Sequence, residues 1–137
     1  MRLVIDTNVL VSMLIRPGAK YLPLIDRIDC GAVTVLYSSE TLPELIDVLG
    51  RDKFAKYTNR EDIAAFVRWV AEAGELVTIT REVRASPDPK DDKFLSLALS
   101  GKAEMIVSGD KDHMIALKAI EGIPIVRLSD FLARFAS

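Results

Sequence analysis

Leu3-Val4-Ile5-Asp6-Thr7-Asn8 sets three consecutive apolar residues, two of them β-branched, directly before a carboxylate. Such a run reads as a strand buried on both faces, as inside a parallel sheet. Thr7 and Asn8 are residue types that cap helices. Val9, Leu10, Val11, Met13 and Leu14 then continue as an apolar helix. Asp6 therefore stands where a core strand ends and a helix begins. In open α/β sheets, ligands gather at the carboxyl ends of the strands. The charge can thus cap the helix or face a ligand.

Working outward, the same alternation repeats. Arg16-Pro17-Gly18 is a turn, and Tyr21, Leu22, Leu24, Ile25 and Ile28 recur at helical spacing up to Gly31. Ala32–Tyr37 reads as a second strand. Ser38-Ser39 open a helix running to Leu49 and stopped by Gly50. A short helical piece at Lys53–Tyr57 precedes a longer helix capped by Thr58 or Asn59. That helix carries Ile63, Ala64, Phe66, Val67 and Val70 on its apolar face and ends at Gly74. Leu76–Ile79 reads as a third strand, and Arg84–Lys90, with two prolines, as a loop.

Asp91 or Asp92 opens the next helix, which closes at Gly101. Met105–Val107 is a fourth strand, delivering Ser108-Gly109-Asp110. A short helix is expected from Met114 through Ile120 to Gly122. Pro124–Val126 is a fifth strand, and Ser129 caps a last helix containing Phe131, Leu132 and Phe135. Strands alternating with helices predict one domain over residues 1–137. Its architecture is a three-layer α/β/α sandwich around a central, mostly parallel sheet of about five strands.

Composition bounds the function. In 137 residues, 50% are hydrophobic, enough for a sizeable core, and the net charge of −2 offers no whole-molecule basic field. A local basic rim is still compatible with nucleic acid. The single cysteine, Cys30, excludes an internal disulfide and a cysteine-rich zinc cluster, and fits a reducing cytosol. It is expected to be buried and inert. No apolar run reaches the ~18 residues of a membrane-spanning helix, and the start reads as a strand rather than a signal peptide.

The acids converge. Asp6 and Asp110 each come just after a core strand, so a parallel sheet puts both on one edge. A helix leading into a parallel strand runs against it, which brings the N-terminus of the Asp91/Asp92 helix to that edge too. Glu44, in the first turns after the second strand, joins them. Two carboxylates about 4 Å apart repel by roughly 4 kcal/mol at an effective dielectric near 20, so such a cluster calls for a counter-charge. Hard divalent ions take oxygen ligands, and paired ions serve phosphodiester hydrolysis. His113 is the only histidine, which leaves little for another metal chemistry.

Each acid also has a plain structural reading. Thr41-x-x-Glu44 matches a capping box. Asp91 and Asp92 both suit a helix N-terminus; on a helical wheel Asp91 projects nearer the centre of the apolar face and Asp92 at its flank. Asp110 and Asp112 suit a turn. Glu40 and Asp47 are expected on the solvated side of their helix. The joint pattern carries the inference.

With these residues in hand, the chain resembles the PIN-domain family of small α/β/α metal-dependent nucleases. The resemblance runs from about Leu3 to Phe135. Its opening motif corresponds to Val4-Ile5-Asp6-Thr7-Asn8, and its second acid to Glu44. Its Asp-x-x-Leu-x-x-Ala helix corresponds to Asp92-Lys93-Phe94-Leu95-Ser96-Leu97-Ala98, which favours Asp92 over Asp91. Its last motif corresponds to Val107-Ser108-Gly109-Asp110. The Asp88–Phe94 and Gly109–Asp112 stretches are similar to the subgroup of toxins in toxin–antitoxin pairs, akin to VapC. The resemblance implies a ribonuclease using Mg²⁺ or Mn²⁺, located in the cytoplasm, often a homodimer and blocked by a cognate antitoxin.

On this reading Asp6, Glu44, Asp92 and Asp110 are catalytic metal ligands, with Asp112 a supporting or alternative ligand. Thr7, Asn8, Asp91 and Ser108 support them, Asn8 by fixing the Asp6 loop and Ser108 by orienting a water. Arg16, Lys20, Lys90, Lys93 and Lys111 are expected near the acidic edge, holding phosphates or offsetting charge. Arg51, Lys53, Lys56 and Arg60 form a basic run suited equally to a solvated face or an RNA rim. Phe66 and Trp69 are expected in the core or a dimer contact.

Other classes fit less well. A phosphoacceptor receiver domain needs paired acids after the first strand and a lysine after the last; Asp6 is single and Arg127 comes after Val126. A haloacid-dehalogenase-like phosphatase needs Asp-x-Asp, and position 8 is Asn. A PIN-like module that only binds RNA or protein would be signalled by a missing acid, and all four are present.

Overall fold

A computed structural model describes residues 1–16, 18–86, 88–109 and 113–134. The strands are β1 (Arg2–Ile5), β2 (Thr34–Tyr37), β3 (Glu75–Leu76), β4 (Met105–Ser108), β5 (Ala119–Ile120) and β6 (Ile123–Arg127). They form one sheet in the order β3-β2-β1-β4-β6-β5. All neighbours pair in parallel except β5 and β6. The helices are α1 (Thr7–Ile15), α2 (Leu22–Asp29), α3 (Thr41–Leu49), α4 (Arg60–Ala73), α5 (Asp92–Ser100) and α6 (Leu128–Ala133).

Period-2 alternation splits the core between the two faces of the sheet. Leu3, Ile5, Val35, Met105 and Val107 pack with residues of α1 to α4 and with Phe131 of α6. Val4, Leu36, Ile106 and Ile125 face the other way, onto α5 and Met114. Leu3 and Val4 are fully buried, as a strand covered on both faces requires. Phe66 and Trp69 pack half-buried against the first of these cores, and the Trp69 indole N–H donates to Asp29 at 2.7 Å. Gly74 ends α4 where a Cβ would lie 2.4 Å from the Val35 carbonyl oxygen, so the helix could not close on β2 with a larger residue.

Several expectations are corrected. The helix expected to reach Ile120 is a short 3₁₀ turn, His113–Leu117, and β5 comes after it. Glu121 and Gly122 both have positive φ, 46° and 86°, and form the two-residue loop of a β-hairpin in which Ile120 pairs with Ile123. Ser129 lies inside the first turn of α6 rather than capping it. The third strand is two residues long: Val77 still donates to the Tyr37 carbonyl oxygen of β2 at 2.8 Å, but from Thr80 onward backbone N–H groups go to α5 instead of to the sheet. Thr80 and Arg81 donate to the Ser100 hydroxyl, Val83 to the Ser96 hydroxyl, and Ala85 and Ser86 to one oxygen of Asp92, at 2.9–3.2 Å. Asp92, Ser96 and Ser100 are successive turns of one helix face, and they bind residues 80–86 as a strap laid along α5. Cys30, expected to be buried, is exposed.

Candidate active site

β1 and β4 are adjacent at the centre of the sheet, with Ile5 in register with Val107. From β1 the chain builds β2 on one side, and later β4 on the other. This is a topological switch point, where open α/β sheets place their ligands. Asp6 and Ser108 leave the two strands side by side. Asp6 is only 4% exposed. One of its oxygens accepts from the Val9 N–H at 3.0 Å, capping α1. The other accepts from the Ser108 hydroxyl at 2.6 Å and the Gly109 N–H at 3.2 Å. Asp6 is therefore both a cap and a wall of a cavity of about 310 Å³. Ser108, expected to orient a water, holds the carboxylate itself.

Glu44 reaches the same cavity from α3. It does not form the expected capping box. That role falls to Ser38 and Thr41: each N–H donates to the other's hydroxyl, at 2.8 and 3.2 Å. Glu44 is thereby left to cross to α1 and α5. The Thr7 hydroxyl donates to one of its oxygens at 2.6 Å, and the Lys93 ammonium pairs with the other at 2.7 Å. Lys93 also donates to the Lys90 carbonyl oxygen at 2.9 Å.

The helix-start acids divide. Asp91, in the 3₁₀ turn Pro89–Asp91, lines the cavity with Asp6 and Glu44. Asp92 does not line it; its oxygen is spent on the strap, and it lines a neighbouring cavity of about 630 Å³. The sequence pattern favours Asp92, but the wall of this cavity carries Asp91, and Asp92 stands beside it under the strap. The physical reason is the strap: two backbone N–H groups approach α5 from the side to which Asp92 points, and Asp91 occupies the other.

Asn8 is exposed and lines the cavity at the start of α1. Lys90 lines it too, whereas Lys93 reaches it only through Glu44. Arg16 stands at the far end of α1, about 15 Å along the helix axis from Asp6, and Lys20 lies beyond it, over the Tyr21 ring. Neither lines the cavity. Asp110, Lys111 and Asp112 lie outside the described residues, as does the side chain of His113. Two lining residues were missed as site members, Arg51 and Asp88. Arg51 lies just past the end of α3, in extended backbone after Gly50, and the turn there brings it to the cavity that Glu44 reaches from the helix. Asp88 precedes Asp91 by three and accepts from the Lys90 N–H.

The cavity is electrostatically lopsided. Asp6, Glu44, Asp88 and Asp91 face two cations, Arg51 and Lys90. Among the described residues no three acidic, histidine or cysteine side chains are already gathered at metal-binding distances. The Lys93 ammonium sits against Glu44 instead. What the cavity offers a ligand is carboxylate oxygen, negative charge and nearby cations.

A family model for the PIN domain matches residues 2–112. The chain belongs to the PIN-domain family. PIN domains are generally nucleases. An uncharacterized protein of Methanocaldococcus jannaschii is 29% identical over 118 residues, covering 85% of this chain and 75% of that protein. Two crystal structures share the fold. The first is VapBC2 from Rickettsia felis bound to a DNA fragment from its promoter (TM-score 0.63, 15% identity, 93% of this chain and 98% of that one). The second is PAE2754 from Pyrobaculum aerophilum (TM-score 0.57, 17% identity, 99% and 98%). No helix among the described residues is long and apolar enough to cross a membrane.

Proposed function

We propose that this PIN domain is a divalent-metal-dependent endoribonuclease, acting as the toxin of a toxin–antitoxin pair. The observation that carries the reading is the convergence of Asp6, Glu44 and Asp91, from three remote segments, on one cavity at the switch point. An all-carboxylate donor set with surplus negative charge fits Mg²⁺ or Mn²⁺, which prefer oxygen ligands and bind alongside substrate phosphates. Asp6, Glu44 and Asp91 would hold the ion, with Asp110 or Asp112 completing the set. When bound, the metal supplies Lewis-acid activation of water and of the phosphoryl group.

The chain's own residues do the rest. Ser108 and Gly109 fix one oxygen of Asp6, and Thr7 fixes one of Glu44, so both carboxylates are oriented before any ligand arrives. Arg51 and Lys90 border the acids and are placed to meet phosphate oxygens. In-line displacement then leaves 5′-phosphate and 3′-hydroxyl ends. The structural likeness to a VapBC complex supports an antitoxin partner, and the family resemblance supports a homodimer.

The test is cleavage of an end-labelled RNA pool by purified protein in Mn²⁺, in Mg²⁺ and in EDTA, with Asp6→Asn alongside. Metal-dependent cuts that vanish in the variant are expected. Cutting that survives both EDTA and Asp6→Asn would overturn the reading.

A further inference from the structure

The larger cavity lies beside the acidic one, and Lys90 lines both. At about 630 Å³ it falls within the range of small-molecule sites. Its charge differs from its neighbour's. Glu40, Glu82 and Asp92 line it with Arg84, Lys90 and the stem of Lys93, so its charge is more nearly balanced than that of the acidic cavity. Ile79 and Val83 give it an apolar wall.

The walls are built rather than draped. Residues 80–86 are held on α5 by five N–H bonds to Asp92, Ser96 and Ser100. The Arg81–Glu121 pair ties the same strap to the β5–β6 hairpin. On the opposite side, Ser38 and Thr41 lock the turn that presents Glu40. A preformed crevice with an apolar wall, carboxylates and balancing cations matches a nucleobase: a flat apolar face with polar edges.

We propose that this cavity seats the base of the nucleotide adjoining the scissile phosphate, with Lys90 under the phosphate between the two cavities. The Glu40 and Glu82 carboxylates can accept hydrogen bonds and cannot donate them, so two acceptors favour bases whose exocyclic amine offers two N–H donors (adenine, cytosine, guanine) over uracil, which offers its single N3–H. The inference rests on the nuclease reading for its place beside the scissile bond, but nucleotide binding here can be measured without turnover.

The experiment is an NMR titration of the full chain in EDTA with AMP, CMP, GMP and UMP. The amino-bearing nucleotides are expected to shift the Ile79, Val83 and Ser96 amides at least about threefold more strongly than UMP at equal concentration. Glu40→Gln/Glu82→Gln, on exposed positions, should erase that difference. Val83→Arg, which keeps its N–H bond to Ser96, should abolish the shifts. Shifts confined to the acidic cavity, or equal for all four nucleotides, overturn the proposal. If RNA is cleaved without base preference, the subsite falls and the nuclease stands. If nucleotides bind as described and no RNA is cut, the nuclease reading falls and the binding site stands.

Discussion

Asp6 and Asp92 begin as equals. Each is a carboxylate at the N-terminal boundary of a helix, at the same edge of the sheet, accepting from backbone N–H groups, Asp6 through both oxygens and Asp92 through one. The difference lies in where those N–H groups come from. Asp6 receives them from its own helix and from the end of the neighbouring strand, and still faces a cavity with Glu44 and Asp91. Asp92 receives them from a strap that arrives from the opposite side, and so serves as a clamp. A carboxylate at a helix start lines a cavity or clamps a strap according to the chain segment that returns past it, and helix periodicity carries no record of that segment.

The widest separation between the two roles is expected in activity. Asp6→Asn and Asp91→Asn should each lower RNA cleavage by more than the roughly 10–100-fold that outer-shell changes cost, with the folded fraction, by circular dichroism, essentially unchanged. Asp92→Ala should do the reverse. Two N–H groups lose a charged acceptor, so stability falls by about 2 kcal/mol, roughly 5–10 °C in Tm, while cleavage per folded molecule stays within a few-fold. Equal activity losses at Asp91 and Asp92 would erase the distinction.

Lys93 tests the acidic side at a smaller scale. Its ammonium occupies one Glu44 oxygen, and both side chains are partly sheltered, 19% and 30% exposed. Lys93→Met removes that competitor. Mn²⁺ affinity by isothermal titration should rise about fivefold, the equivalent of ~1 kcal/mol for such a pair. A fall in affinity would mean that Lys93 organises the site instead of competing for it.

The smallest effect concerns the strap's outer tether. Arg81 donates to both oxygens of Glu121 at 3.0 and 2.6 Å. That hydrogen bond and the charge hold the Glu121 carboxyl below its ordinary 4.5. A carboxyl lowered on folding contributes stability that is present above its ordinary value and is lost as pH falls through the lowered one. Wild type and Glu121→Gln should therefore differ slightly in Tm at pH 7 and converge in acid. The pair is exposed, so the difference at pH 7 should be the least of the series.

The family, the layered α/β architecture and the arrival of Asp6 and Glu44 at the switch-point edge were legible in the residues. Val4-Ile5-Asp6 and Ile106-Val107-Ser108 each record a buried strand and the polar residue at its carboxyl end, and parallel connectivity does the rest. The β5–β6 hairpin was less legible, because Glu121-Gly122 reads equally as a helix stop; only positive φ at both residues makes it a two-residue loop. Cys30 was misjudged because cysteine's general preference for burial says nothing about one helix end.

What the sequence by itself determined was therefore what depends on periodicity over the longer runs and on their order: the main parallel strands, the longer helices, and the edge that collects the charge. What only tertiary structure decided was how charges one residue apart are shared out. Asp91 and Asp92 differ by about 100° around a helix, less than a motif can resolve when both are acidic. The outcome depends on the partners each meets: a cavity with Asp6 and Glu44 on one side, and the N–H groups of residues 85 and 86 on the other. Those partners lie far away or across a loop, and they meet only when the chain is folded.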